Sequence, residues 1–118
     1  MKLLTKTIRD KMIANGKAQD AVRGTEDEID FEPVVKLFNP CGAGTWLLTE
    51  LDSEDPDIAF GLCDLGMDCA ELGSVRISEL ESIRGPFGLG IERDLRWSPK
   101  KTLLGYARKA WELGRIEA

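Results

Sequence analysis

At 118 residues, with 42% apolar and 31% charged side chains, the chain has the make-up of one globular domain whose core needs no disulfide or metal staple. No apolar run approaches the roughly 20 residues of a membrane-spanning helix, and the opening Met1-Lys2-Leu3-Leu4-Thr5-Lys6 is too polar for a secretory signal, so a cytoplasmic protein is expected. The net charge of −5 argues against non-specific nucleic-acid binding, and the absence of histidine removes the Ser-His-Asp and Cys-His constellations, the commonest general base and most zinc chemistry.

The charge is unevenly placed. Residues 1–36 balance seven basic against seven acidic groups. Residues 37–75 hold no Lys or Arg and eight acids: Glu50, Asp52, Glu54, Asp55, Asp57, Asp64, Asp68 and Glu71. Residues 76–118 carry nine basic and six acidic groups, a net of +3. The three cysteines, Cys41, Cys63 and Cys69, are odd in number and form no Cys-x-x-Cys. They read as reduced thiols buried as small apolar residues, with no cofactor and no metal-ligand set.

In chain order, residues 5–14 read as a first helix. Thr5 or Thr7 caps it, Leu4, Ile8 and Met12 form one stripe, and Asn15-Gly16 ends it. Residues 17–32 are polar, with Gly24 and the run Glu26-Asp27-Glu28, and read as a long, mobile loop. Residues 34–38 are β-branched and aromatic and form a first strand, closed by Asn39-Pro40 and Gly42. Residues 45–51 form a second strand, antiparallel to the first, with Trp46, Leu48 and Glu50 on one face and Leu47, Thr49 and Leu51 on the other. The acidic loop 52–57 matches a calcium loop in composition only; it lacks the Asp-x-Asp-x-Asp-Gly order and the closing Glu. It reads as a solvated turn, with a weak Mg²⁺ or Ca²⁺ site as the alternative. Residues 58–65 make a third strand whose bulky face (Ile58, Phe60, Leu62) should meet the helices, and residues 72–77 a fourth.

Residues 78–97 are the densest run of turn and charge signals. Ser78 and Glu81 have capping-box spacing, which predicts a short helix from 79 to about 84, stopped by Gly85-Pro86. Residues 85–90 form a glycine loop, and residues 91–97 a fifth strand with Ile91, Arg93, Leu95 and Trp97 on one face. A guanidinium among apolar neighbours needs a partner, and Glu81 or an acid of the 50s is expected to supply it. The alternative is an anion site built from Arg84, Arg93 and the loop N–H groups. No phosphate-loop motif is present. Ser98-Pro99 should open the last helix, with Leu103, Leu104, Ala107, Ala110 and Trp111 as its apolar stripe and Gly114 as its end. The pattern predicts one α+β domain over residues 1–118: a mainly antiparallel sheet of four to five strands flanked by an N-terminal and a C-terminal helix.

Several stretches carry a family resemblance: Lys36-Leu37-Phe38-Asn39-Pro40, Thr45-Trp46-Leu47-Leu48-Thr49-Glu50, residues 60–66, Glu71-Leu72-Gly73, residues 78–81, Arg84-Gly85-Pro86, Ile91-Glu92-Arg93-Asp94 and the opening Leu3-Leu4-Thr5. With them the chain resembles a family of plasmid-related proteins of unknown function, borne on plasmids, phages and conjugative elements. The resemblance implies no activity and no catalytic residues. The resemblance implies an aromatic residue or histidine where this chain carries Arg96.

Three functional readings follow. The favoured one is a non-catalytic interaction module of a mobile element, monomeric or a weak homodimer, that binds a host or plasmid protein. Its negative surface would come from residues 50–71, Asp52, Glu54, Asp55 and Asp57 among them; Arg84, Glu92, Arg93, Asp94 and Trp97 are further binding candidates. The second is a carboxylate-based enzyme in which Glu92, Asp94 and the acidic loop hold Mg²⁺. The third is an accessory nucleic-acid binder using Arg84, Arg93, Arg96, Trp97 and the last helix.

Overall fold

Thr5 starts α1 (Lys6–Asp20): its Oγ1 accepts the Ile8 N–H at 3.2 Å. Asn15-Gly16 does not end the helix as expected. The computed structural model, which describes residues 2–118, continues α1 to Asp20, so residues 17–20 of the expected loop are helical. The reason is tertiary. Gly16 is buried where α1 crosses the sheet, and a β-carbon there would run into the Leu51 carbonyl; Asn15 Nδ2 donates to Thr49 O at 2.8 Å. The polar segment that follows is tied down. Gln19 Nε2 donates to Ile29 O (2.8 Å) and its Oε1 accepts the Ile29 N–H (2.9 Å).

The strands β1 (Val35–Phe38), β2 (Thr45–Leu51), β3 (Ile58–Asp64), β4 (Glu71–Arg76) and β5 (Glu92–Arg93) form one antiparallel sheet in the order β4-β3-β2-β1-β5. Together with the helices this is the expected α+β fold. The sheet is covered on both faces. Residues of β1 and β2 (Val35, Leu37, Trp46, Leu48) join Ala59, Met12 of α1 and Leu80 of α2 (Ile77–Ser82) in one core. Leu47 and Leu62 join Leu103, Tyr106, Ala107 and Ala110 of α3 (Leu103–Leu113) in the other. The bulky side of β3 therefore meets α3, and its small side, Ala59 with Cys63, meets the α1 layer.

A β-bulge breaks the alternation of β2. Leu48 pairs with Gly61 and Glu50 with Phe60, leaving Thr49 as the extra residue. Beyond it the parity inverts: Leu51 joins Trp46 and Leu48, and Glu50 swings to the α3 side. Gly61 permits this, because a β-carbon there would collide with the Leu47 carbonyl.

Four local expectations are corrected. Ser78 does not cap α2; Arg76 holds the cap position without a side-chain bond, and Glu81 accepts the Leu3 N–H at 3.0 Å instead. The fifth strand contracts to two residues, with Leu95 turned into solvent. Thr102, not Ser98, caps α3, while Gly114 ends it in the left-handed region (φ +77°) as expected. Cys41 and Cys69 are exposed rather than buried, and all three thiols are free.

Candidate functional site

The acidic β2–β3 turn is built from its own carboxylates. Asp52 Oδ1 accepts the N–H groups of Glu54 (2.8 Å) and Asp55 (3.1 Å), and Asp55 Oδ1 that of Asp57 (3.3 Å). Asp57 then does what Ser78 was expected to do. Its Oδ1 accepts the Ser78 N–H (2.9 Å), its Oδ2 the Ser78 hydroxyl (2.6 Å), and its carbonyl the Ile77 N–H (2.8 Å). Arg76 closes the turn with Asp55 at 3.1 Å and Asp57 at 3.5 Å. The two bonds from Ser78, then Arg76, hold the Asp57 carboxyl below its ordinary range. Glu54 lies exposed at the tip.

Around the glycine loop the predicted residues also make bonds, though not the expected ones. Among the described residues Arg93 meets no carboxylate. It donates to the carbonyls of Leu3 (2.7 Å) and Lys2 (3.2 Å), so Leu3 is gripped at its N–H by Glu81 and at its C=O by Arg93. Arg84 donates to Glu81 O (2.7 Å) and Ile83 O (2.8 Å), closing the C-terminal end of α2. Asp94 accepts the Arg96 N–H (3.1 Å) and lies 3.8 Å from Lys36. Glu92 sits on β5 opposite Phe38, and Trp97 packs on Tyr106 with ring centroids 6.2 Å apart. Glu92 and Asp94 do not meet the acidic turn. They flank β1 near the start of β2, whereas the turn leaves the far end of β2. Among the described residues no three His, Cys, Asp or Glu side chains are placed to hold a metal ion.

Two features fall outside the predicted set. Phe87 is 98% exposed and has φ +63°, in a Pro86–Gly88 turn held by Gly85 N–H to Leu89 O (2.7 Å), Leu89 N–H to Pro86 O (3.3 Å) and Cys41 Sγ on Pro86 O. Ile83 and Leu89 nearby are exposed as well. The second is Glu50, expected on the negative surface of residues 50–71 but instead buried, 6% exposed, in a cleft of about 260 Å³ that Gln19, Arg23, Phe31, Phe60 and Leu103 help to line. Burial pushes the Glu50 carboxyl above its ordinary value, and Arg23, 3.5 Å away, only partly opposes it. The sequence did carry one sign of this: period-2 alternation put a glutamate on the face of Trp46 and Leu48, a conflict that a bulge resolves.

Fold and site together define a three-layer α+β protein in which Asp52, Asp55, Asp57, Arg76 and Arg84 brace its own turns. The chain belongs to the family described as protein of unknown function (DUF2958), whose profile matches residues 3–117. No curated protein and no solved structure matches it.

Proposed function

We propose that this protein is a non-catalytic interaction module of a mobile genetic element that grips a host or plasmid protein, with Phe87 as its anchor. The observation carrying this reading is the Phe87 backbone. A non-glycine residue in the left-handed region is disfavoured by about 1–2 kcal/mol, and full exposure of the ring brings no packing in return. Glycine at that position would relieve the strain. A strained, fully presented aromatic in a hydrogen-bonded turn fits a hot spot for an apolar pocket on a partner. The surface acids Asp52, Glu54, Asp68 and Glu71 supply negative charge that steers a basic partner.

The test compares proteins captured from host extract by the wild type and by Phe87→Gly. A specific partner held by the wild type and lost by the variant, with an unchanged fold, supports the reading. Identical captured sets, or chaperones alone, sink it.

One observation favours a second reading, accessory nucleic-acid binding. Arg96, Lys100 and Lys101 surround Trp97 and Tyr106 in a groove of about 540 Å³, with the Lys101 ammonium 5.7 Å from the Tyr106 ring centre. Glu117 lines the same groove and weakens its positive field. Affinity for single strands that falls steeply with salt would favour this reading.

A further inference from the structure

We propose that the cleft between α1, the β2 bulge and the start of α3 binds a small organic cation: an ammonium or guanidinium group on a short apolar or aromatic body. The floor is Glu50, 6% exposed and aimed into the cleft by the Thr49 bulge. Bulges that re-aim one side chain are common beside functional sites. Half of the lining residues are apolar, with Phe31, Phe60 and Leu103 prominent.

The internal partner of Glu50 is a poor one. Arg23 Nη2 stands 3.5 Å from Glu50 Oε2 but 3.0 Å from Asp20 Oδ1, and its side chain is 58% exposed. A structural buried pair is short and usually bidentate. The Gln19 amide, bonded to the Ile29 backbone in both directions, adds only a minor hydrogen bond to Glu50, and burial outweighs it together with Arg23. The charged residues lining the cleft are Arg23 against Glu28, Asp30 and Glu50, so the cleft carries net negative charge. Glu28 and Asp30 are partnered, accepting the N–H groups of Gly24 (2.7 Å) and Leu104 (3.1 Å). Glu50 is the carboxylate left with weak compensation. Folding has already stripped it of water, so an incoming cation gains attraction in a low-dielectric site, while its apolar body covers the walls. This site is independent of the Phe87 surface.

Phenethylamine is the probe, titrated into the full ¹⁵N-labelled chain and followed by amide chemical shifts, with 2-phenylethanol and phenylacetate as neutral and anionic controls. The amine should shift residues around positions 19–31, 49–51, 60 and 103–104, and bind more tightly than either control. Glu50→Gln should weaken it at least about tenfold, the scale of one charged contact. Arg23→Ala, which removes the competing cation, should bind it at least as tightly as the wild type. Absence of shifts in these residues at millimolar amine overturns the proposal, as does equal affinity for amine and alcohol or for wild type and Glu50→Gln. If Glu50→Gln fails to fold, the order amine, alcohol, acid on the wild type, together with Arg23→Ala, decides.

Discussion

The β2–β3 turn and the α1–α3 cleft both carry carboxylates, and they treat them in opposite ways. Asp57 lies at the surface with backbone and hydroxyl donors at 2.6–2.9 Å, and its acidity is strengthened. Glu50 lies inside with a long contact to a half-exposed arginine and a minor one to Gln19, and burial weakens its acidity. The exposed group therefore stabilises the fold, and the buried one strains it. A carboxylate's structural worth follows from the quality of its donors set against the cost of its burial.

The largest test removes the device that separates the two regions. Gly61→Ala should destabilise the protein by roughly 3 kcal/mol or abolish folding, because the new methyl group meets a backbone carbonyl that cannot yield. Denaturant unfolding measures this; a near-neutral result would mean that the bulge does not require glycine. The next largest loss is expected from Asp57→Ala, which strips α2 of the carboxylate that accepts the Ser78 N–H and hydroxyl. The melting temperature falls, and amide exchange at residues 78–81 speeds up. With its folded pKa depressed, Asp57 contributes stability that is present above the ordinary carboxylate range and lost as pH falls through the depressed value. The gap between wild type and Asp57→Ala should therefore close in acid.

Glu50→Gln should act with the opposite sign, raising stability at neutral pH by on the order of 1 kcal/mol. A raised folded pKa imposes a penalty that is full above that value and absent below the unfolded one, so the advantage of the variant also fades as pH falls. A variant less stable than the wild type at pH 7 would show that the Arg23 pair is structural, and the comparison would collapse. Phe87→Gly should leave the fold intact and gain roughly 0.5 kcal/mol, the strain relieved less the added chain entropy. The smallest effect concerns thiols. Burial pushes Cys63 up to about 11, so it should resist alkylation until unfolding while exposed Cys41 reacts. Equal rates would show that the α1 face of the sheet is open to solvent.

Among the site residues, the acidic turn was legible as a turn because Asp52, Asp55 and Pro56 are short-range signals. The partners of Arg93 were not: guanidinium fits carboxylate and carbonyl alike, and Leu3 O is 90 residues away along the chain. Glu50 was misplaced for a related reason, since one inserted residue inverts the face of everything after it. The cysteines were read by residue type, and type does not say that Cys41 and Cys69 sit in connecting loops that meet water.

The sequence by itself determined what neighbours in the chain can settle: the apolar runs that make four of the five strands, a threonine cap on α1 at Thr5 or Thr7, the Gly114 stop and the α+β order. Assembly of the sheet decided the rest. The path of α1 past Gly16, the reversal at Thr49, the capping of α2 by Asp57 from 21 residues away and the clamp on Leu3 all depend on groups that meet only once the strands are in register. Local propensity is a property of a few adjacent residues, whereas close approach and donor geometry belong to the packed whole.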